Sequence, residues 1–408
     1  MSTGLSKEPV RVPPTGSSLR LASKTYTDRR EVILLIIVGV LAGAISGLTL
    51  WASDALSKAQ ALLMYRSQSS IAPGGYFISA IALATVSAVI IKHFCKQAAG
   101  SGLPEFKSIL SGEMKPSERA RLVSVRIFFA KVIGLILATG SGLSIGTEGP
   151  LVHISACIAQ FLMTHITEFG DVCDSPTLAK QVFAASAAVG ISSAFNAPVG
   201  GLLFSVEITS TFYLISNYYK SFIAAMAGAF ARSIFLITQQ DSPEISGAAL
   251  QMDISATPFQ KWELFVFAAI GFTFAYLAHV YLRINQRVHK LMRPYCKDHP
   301  IATCASVAAV TALVIYFTGA YSTNGLRVFS LASDLLTTGE LAEMTAFPAI
   351  PPLVGLLISF FSRTFITILC FNLPIPAGIF VPVFLIGAIL GRFVGLAIMQ
   401  AADADVST

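Results

Sequence analysis

From residue 31 to residue 399 the chain is a succession of apolar segments, at about 31–52, 76–94, 120–139, 151–164, 213–239, 301–318, 349–370 and 380–399. About 20 apolar residues are enough for a helix to cross the hydrocarbon of a bilayer. Only helices and closed barrels satisfy every backbone polar group at that depth, and unbroken apolar runs lack the alternation of a barrel strand. The chain therefore reads as an all-α, multi-pass membrane protein. Composition settles the point: 12% of its residues are charged, against roughly 25% in soluble domains.

Several of these segments are interrupted by glycine and proline, and the interruptions carry the chemistry. The stretch Gly140–Pro150, GSGLSIGTEGP, lies between two apolar segments and holds one carboxylate, Glu148. An acid at membrane depth is costly unless it faces a cavity, a partner or an ion path. The competing interpretation is an acid at a water-exposed helix start, favoured by the helix dipole. A second break, Gly100–Glu105 (GSGLPE), opens an apolar helix that Gly112, Glu113 and Lys115 end before it can span. A third, Pro374–Pro382 (PIPAGIFVP), opens the segment at about 380–399. A glycine turn that starts a half-helix presents free N–H groups and a positive dipole end. Broken helices at corresponding places in a transporter mark a midplane binding site. Three such ends, with few cations nearby, suit a small dehydrated anion that must bind and then leave. Between the second and third breaks, Phe195-Asn196-Ala197-Pro198 ends an alanine-rich segment and starts a helix carrying Glu207.

Charge sets orientation and excludes other classes. Basic residues cluster at 1–30, 92–131 and 283–297, whereas 233–260 and 328–362 contain no Lys or Arg and carry Asp241, Glu244, Asp253, Asp334, Glu340 and Glu343. The positive-inside rule puts the N-terminus and the 283–299 region in the cytoplasm and the two acidic stretches outside. In so apolar a chain the basic clusters do not read as a nucleic-acid surface. Residues 1–28 are polar, show no cleavable signal peptide and read as disordered. The six cysteines are scattered without CxxC or metal-ligand spacing, so neither a disulfide framework nor a metal site is expected. No nucleophile–base pair or phosphate loop points to an enzyme, and no cofactor is expected. Gly39, Gly43 and Gly47 recur on one helical face and permit close packing in the first span. Lys131, inside the 120–139 span, needs a partner or a polar cavity. The organisation expected is a disordered tail (1–30), a first transmembrane repeat (31–239), an extracytoplasmic loop (240–256) and a partial second repeat (257–408). A long helix at about 258–289 and a short segment at 326–337 fall in that last part.

The motifs GSGLPE, GTEGP (146–150) and GIFVP (378–382), in that order and with FNAPVGGLLFSVE (195–207) before the last, resemble the signature motifs of the CLC family of chloride channels and chloride/proton exchangers. The resemblance covers roughly 30–400. It implies tilted, partly re-entrant helices in two inverted repeats, a homodimer with one pore per subunit, and chloride as the transported ion. It further implies that the Ser101 hydroxyl and the backbone amides of Ile379 and Phe380 hold chloride, with Gly102, Gly146 and Gly149 of the motif loops also among the chloride-binding residues. Glu148 would be the gate, an anionic side chain competing for an anion site, and Lys131 would add positive potential near the path. Exchangers of the family usually carry two consecutive glutamates after the FNAP-like break, the second passing protons inward. Here the pair is Glu207-Ile208, and Ile208 cannot titrate. With Thr209–Phe212, which looks like animal plasma-membrane channels, this favours a voltage-gated chloride channel in the plasma membrane. The alternatives are an exchanger and a non-conducting subunit.

Two departures from the family pattern stand out. Thr147 replaces the usual Lys or Arg beside the gate. The family also continues beyond the helix that starts near Gly378, with further helices, a pore tyrosine and often CBS domains, whereas no tyrosine follows Tyr321. The resemblance therefore implies a shortened second repeat and a reduced dimer contact.

Overall fold

The computed structural model describes residues 29–65, 72–111, 114, 116–169, 172, 175–209, 215–239, 263–318 and 351–406. Among them the secondary structure is helical: α1 (Arg29–Tyr65), α2 (Ala72–Phe94), α3 (Leu103–Ser111), α4 (Pro116–Leu122), α5 (Val125–Gly140), α6 (Glu148–His165), α7 (Pro176–Phe195), α8 (Pro198–Thr209), α9 (Ile215–Gln239), α10 (Glu263–Asp298), α11 (Pro300–Phe317), α12 (Pro352–Phe371) and α13 (Phe380–Val406). Nine of these described helical segments are long and apolar enough to cross a membrane. The multi-pass reading therefore holds.

The helices pack around α6 and α7, which are buried along most of their length. Both are rich in Ala, Ser and Gly, and small side chains let neighbouring backbones approach where lipid offers no hydrophobic drive for association. Gly190 of α7 lies against the α6 backbone, where an added Cβ would stand 2.5 Å from the Val152 Cα. The predicted glycine stripe of α1 does the same work against α9. A Cβ at Gly39 would come 2.6 Å from the Ala224 carbonyl, and one at Gly43 would overlap the Gly228 backbone. Buried leucines and isoleucines of α1, α5 and α6 fill this half of the core. A second cluster joins α2, α11 and α12 to Leu143, Ile145, Ile375 and Ala377 from the second and third breaks. The breaks are thus packed inside protein, as non-helical backbone at membrane depth requires.

Several boundaries differ from the sequence expectation. The span expected at 120–139 falls within one candidate crossing, Ser117–Gly140, but its helix is interrupted: the chain turns at Val123, and Ser124 caps α5 by accepting from the Ile127 N–H at 3.4 Å. Hydropathy alone does not register a cap of that kind. The first helix runs on to Tyr65, past the apolar stretch, and the long helix expected at 258–289 covers Glu263–Asp298 with Pro294 inside it. Residues 1–28, the loop 240–256 and the segment 326–337 lie outside the described residues.

Candidate functional site

Three chain breaks meet at one place. In the first, Gly100 and Gly102 both have left-handed backbone (φ +72° and +79°), a conformation glycine adopts without penalty. Ser101 between them caps α3: its Oγ accepts from the Leu103 N–H at 3.3 Å, which leaves the hydroxyl proton to donate elsewhere. In the second break, α6 starts at Glu148, and the Leu151 N–H bonds back to the Thr147 carbonyl at 2.9 Å. In the third, α13 starts at Phe380, with the Val383 N–H bonded to the Ile379 carbonyl at 3.1 Å.

A short non-helical segment, 372–378, ties the three together. The Gly100 N–H donates to the Ile375 carbonyl at 2.9 Å, joining the first break to the third. Gly146 and Gly378 exchange two backbone hydrogen bonds of 2.8 Å as an antiparallel bridge, joining the second to the third. Gly149 rests on Ser101, where an added Cβ would fall 2.7 Å from the serine Cβ. The N-termini of α3, α6 and α13 are therefore held in register largely by backbone hydrogen bonds.

They open on a cavity of about 490 Å³ whose lining includes Ser101, Glu148, Gly149, Gly378, Ile379 and Phe380, with aromatic walls from Phe195, Phe204 and Phe371. Phe195 and Phe380 meet edge to face, 5.5 Å between ring centroids. Most of the remaining lining is apolar side chain, so the polar character comes from helix ends, one hydroxyl and one carboxylate. Such a site favours an anion through dipoles while offering no cation to trap it.

Glu148 is 3% exposed, which rules out the water-exposed turn. Backbone amides of Thr147, Glu148 and Val381 stand near enough to stabilise its carboxylate, which therefore sits between the start of α6 and the first turn of α13. Its Oε2 has no hydrogen-bond partner and lies against Gly146 and Gly378, 2.8 Å from where a Gly378 Cβ would be. Among the described residues no cation nitrogen lies within 4.0 Å of it. The carboxylate thus occupies a position built from N–H donors and glycine clearance, the chemistry that also receives a halide.

The remaining sequence candidates are dispersed. Lys131 is fully buried, but it stands behind the first break and does not line the cavity. Its Nζ donates to His153 Nδ1 at 2.9 Å, and His153 Nε2–H donates to the Leu122 carbonyl at 2.8 Å. The imidazole is therefore neutral with its proton on Nε2, and Gly102 is pressed against the ring so closely that a Cβ there would overlap it. Sequence reasoning missed His153. The only available signal was that Lys131 needed a partner, and nothing local named one. Ile208 lies in the last turn of α8, and Glu207 beside it is exposed. Thr147 occupies the cap position of α6, yet its side chain makes no capping bond.

Helices whose amino ends converge on one buried carboxylate and one hydroxyl define a multi-pass membrane protein with a site suited to an anion. The chain belongs to the voltage-gated chloride channel family, whose profile, described as "Voltage gated chloride channel", matches residues 83–408. Chloride channel protein 2 of Homo sapiens is 30% identical over 387 residues, which are 89% of this chain and 43% of that protein. Chloride channel protein F of Dictyostelium discoideum is 34% identical over 328 residues, 77% of this chain and 40% of that protein. The chain thus spans less than half the length of these curated relatives. Among solved structures, that of a eukaryotic CLC transporter superposes with a TM-score of 0.74 at 28% identity, covering 90% of this chain and 60% of that one. A slow cyanobacterial Cl⁻/H⁺ antiporter shares the fold, with a TM-score of 0.69 at 20% identity over 93% of this chain and 82% of that one.

Proposed function

We propose that the chain conducts chloride passively through the cavity between α3, α6 and α13, with Glu148 as the gate. The carrying observation is the Glu148 carboxylate itself. It is buried, lies beside the backbone amides of two helix starts and faces the cavity lined by Ser101. A chloride ion and this carboxylate want the same donors, so the pathway opens when the side chain leaves or is protonated. The Ser101 O–H and the amides of Ile379 and Phe380 would hold the ion, with Gly102, Gly146 and Gly149 giving it clearance. Lys131 would contribute positive potential from behind the first break, and its bond to His153 would fix that charge in place. The role is transport rather than catalysis, without a cofactor.

Ile208 favours a channel over an exchanger, since the residue at the position that carries protons inward in exchangers has no ionisable group. The exchanger reading retains one support, the likeness of the fold to a structure described as a Cl⁻/H⁺ antiporter. Proteoliposomes separate the two. An outward chloride gradient should move chloride without driving protons uphill, and uphill proton movement would establish exchange instead. Glu148→Ala should keep the chloride flux and abolish its dependence on voltage and pH. A chain that carries no chloride alone but alters the current of a longer relative would be a non-conducting subunit. The same reading includes a homodimer, the plasma membrane, a cytoplasmic N-terminus and the division into a first repeat (31–239) and a second (257–408).

A further inference from the structure

The helix α10 is anchored to the site by a polar clasp and otherwise turned outward, and its basic end has a chemistry that the pore does not use. No residue of α10 is buried. Its contacts are with α11 and α12, and near its C-terminal end they centre on Asn372, the cap of α12. His289 Nδ1–H donates to Asn372 Oδ1 at 2.8 Å. Asn372 Nδ2 donates to Asn285 Oδ1 at 3.1 Å and to the Ile368 carbonyl at 2.7 Å. The Cys296 thiol donates to the Asn372 carbonyl at 3.4 Å. Both N–H groups and the oxygen of the Asn372 amide are thereby used. Asn372 begins the same segment that bonds Gly100 through Ile375 and Gly146 through Gly378.

Asn285, His289, Met292 and Cys296 follow 4–3–4 spacing and form one face of α10, with Met292 packed against the core. At 100° per residue, Arg283, Arg287 and Lys290 fall on the opposite face and Lys297 at its edge, and all four are exposed. No acidic residue occurs between Glu263 and Asp298. Leu282, Ile284, Leu291 and Tyr295, between 43% and 69% exposed, flank the basic stripe. The positive-inside rule requires only that cations be present in a cytoplasmic segment. It does not require them to line the face opposite the clasp.

We propose that this basic face of α10 docks anionic phospholipid headgroups, the flanking apolar side chains taking the acyl region, and that the Asn372 clasp links the docked lipid to the ion site. Three cations on one helix face and a fourth at its edge give the charge complementarity for an anionic leaflet. Movement of this end of α10 is carried through Asn372 to the segment that sets Gly378 against Gly146. The link to conduction rests on the chloride-channel reading, whereas the docking does not.

Docking is read on the purified full chain in detergent, titrated with dioctanoyl phosphatidylinositol 4,5-bisphosphate and followed by native mass spectrometry. The wild type should bind it and should bind dioctanoyl phosphatidylcholine and free inositol 1,4,5-trisphosphate far more weakly. The variant R283Q/R287Q/K290Q/K297Q should lose about tenfold or more in affinity. The variant K96Q/K107Q/R121Q/R126Q, with the same change in net charge, should not. Equal loss in both variants, or none in the first, overturns the docking face. Free inositol trisphosphate binding as well as the lipid shows a soluble-phosphate site and overturns the lipid assignment. These readings need no chloride flux, so a failed channel reading leaves them intact. The link itself is tested by chloride efflux from phosphatidylcholine vesicles with and without 5 mol% of the same inositol lipid in its long-chain form, on the order of one anionic lipid in twenty. Efflux should respond to the lipid in wild type and not in His289→Ala. A lipid response unchanged in that variant, or absent in wild type, overturns the link.

Discussion

Lys131 and His153 form a buried pair whose cost and stabilisation can be separated. The lysine is fully buried with its Nζ on His153 Nδ1, and the histidine is in turn held by the Leu122 carbonyl. Removing the imidazole leaves a charged donor without its acceptor inside the core, a loss of about 1–3 kcal/mol or more for a charged group. His153→Ala should therefore lower the thermal unfolding midpoint in detergent, and Lys131→Met added to it should restore part of the loss, because the orphaned charge is then gone. Strict additivity of the two changes would show that the pair is not coupled. Glu148 makes the complementary prediction. If its negative charge closes the path, acidification raises chloride flux as the carboxylate is neutralised. Glu148→Gln, which has nothing to protonate, should be open with no such pH dependence, as measured by chloride efflux from about pH 7.5 down to about pH 3.5, a range that passes through the usual glutamate value of about 4.3. Thr147 remains without a structural explanation: its side chain makes no capping bond.

At the scale of elements, the fold is made of helices that either approach at glycine or stop at glycine. The contact of α1 with α9 depends on Gly43, where any side chain meets the Gly228 backbone. Gly43→Leu should separate the two helices and destabilise the protein by about 1–3 kcal/mol or more, the range for overpacking in a well-filled core, measured as loss of folded protein after mild heating. The stripe was legible in the sequence because its spacing is local and regular. So were the three breaks, since glycine and proline inside apolar runs have no other economical explanation. The joining of those breaks was not legible. Gly146 pairs with Gly378, and Gly100 with Ile375, across most of the chain, and backbone bonds leave no mark on side-chain pattern. His153 and Asn372 were missed for the same reason. Each is an ordinary polar residue whose importance lies in a partner far away in sequence. The helix interruption at Ser124, inside the span that was expected, was missed because one cap weighs little against hydropathy.

For the whole molecule, the resemblance drawn from three motifs and the match of the family profile to residues 83–408 lead to the same architecture. The core of α6 and α7 supports three helix starts, and one segment, 372–378, keeps them aligned. Electrostatics at the site come from helix ends rather than from cations, which suits brief occupancy by an ion that must move on. The most direct test of that account is anion density in the cavity. Crystals of the full chain soaked in bromide should show an anomalous peak beside Ser101 Oγ in the wild type. Glu148→Gln should add a second peak among the N–H groups of Thr147, Glu148 and Val381, where the carboxylate had been. A cavity empty of bromide in both proteins, or a Glu148→Gln structure without the second peak, would contradict the claim that carboxylate and chloride compete for one site.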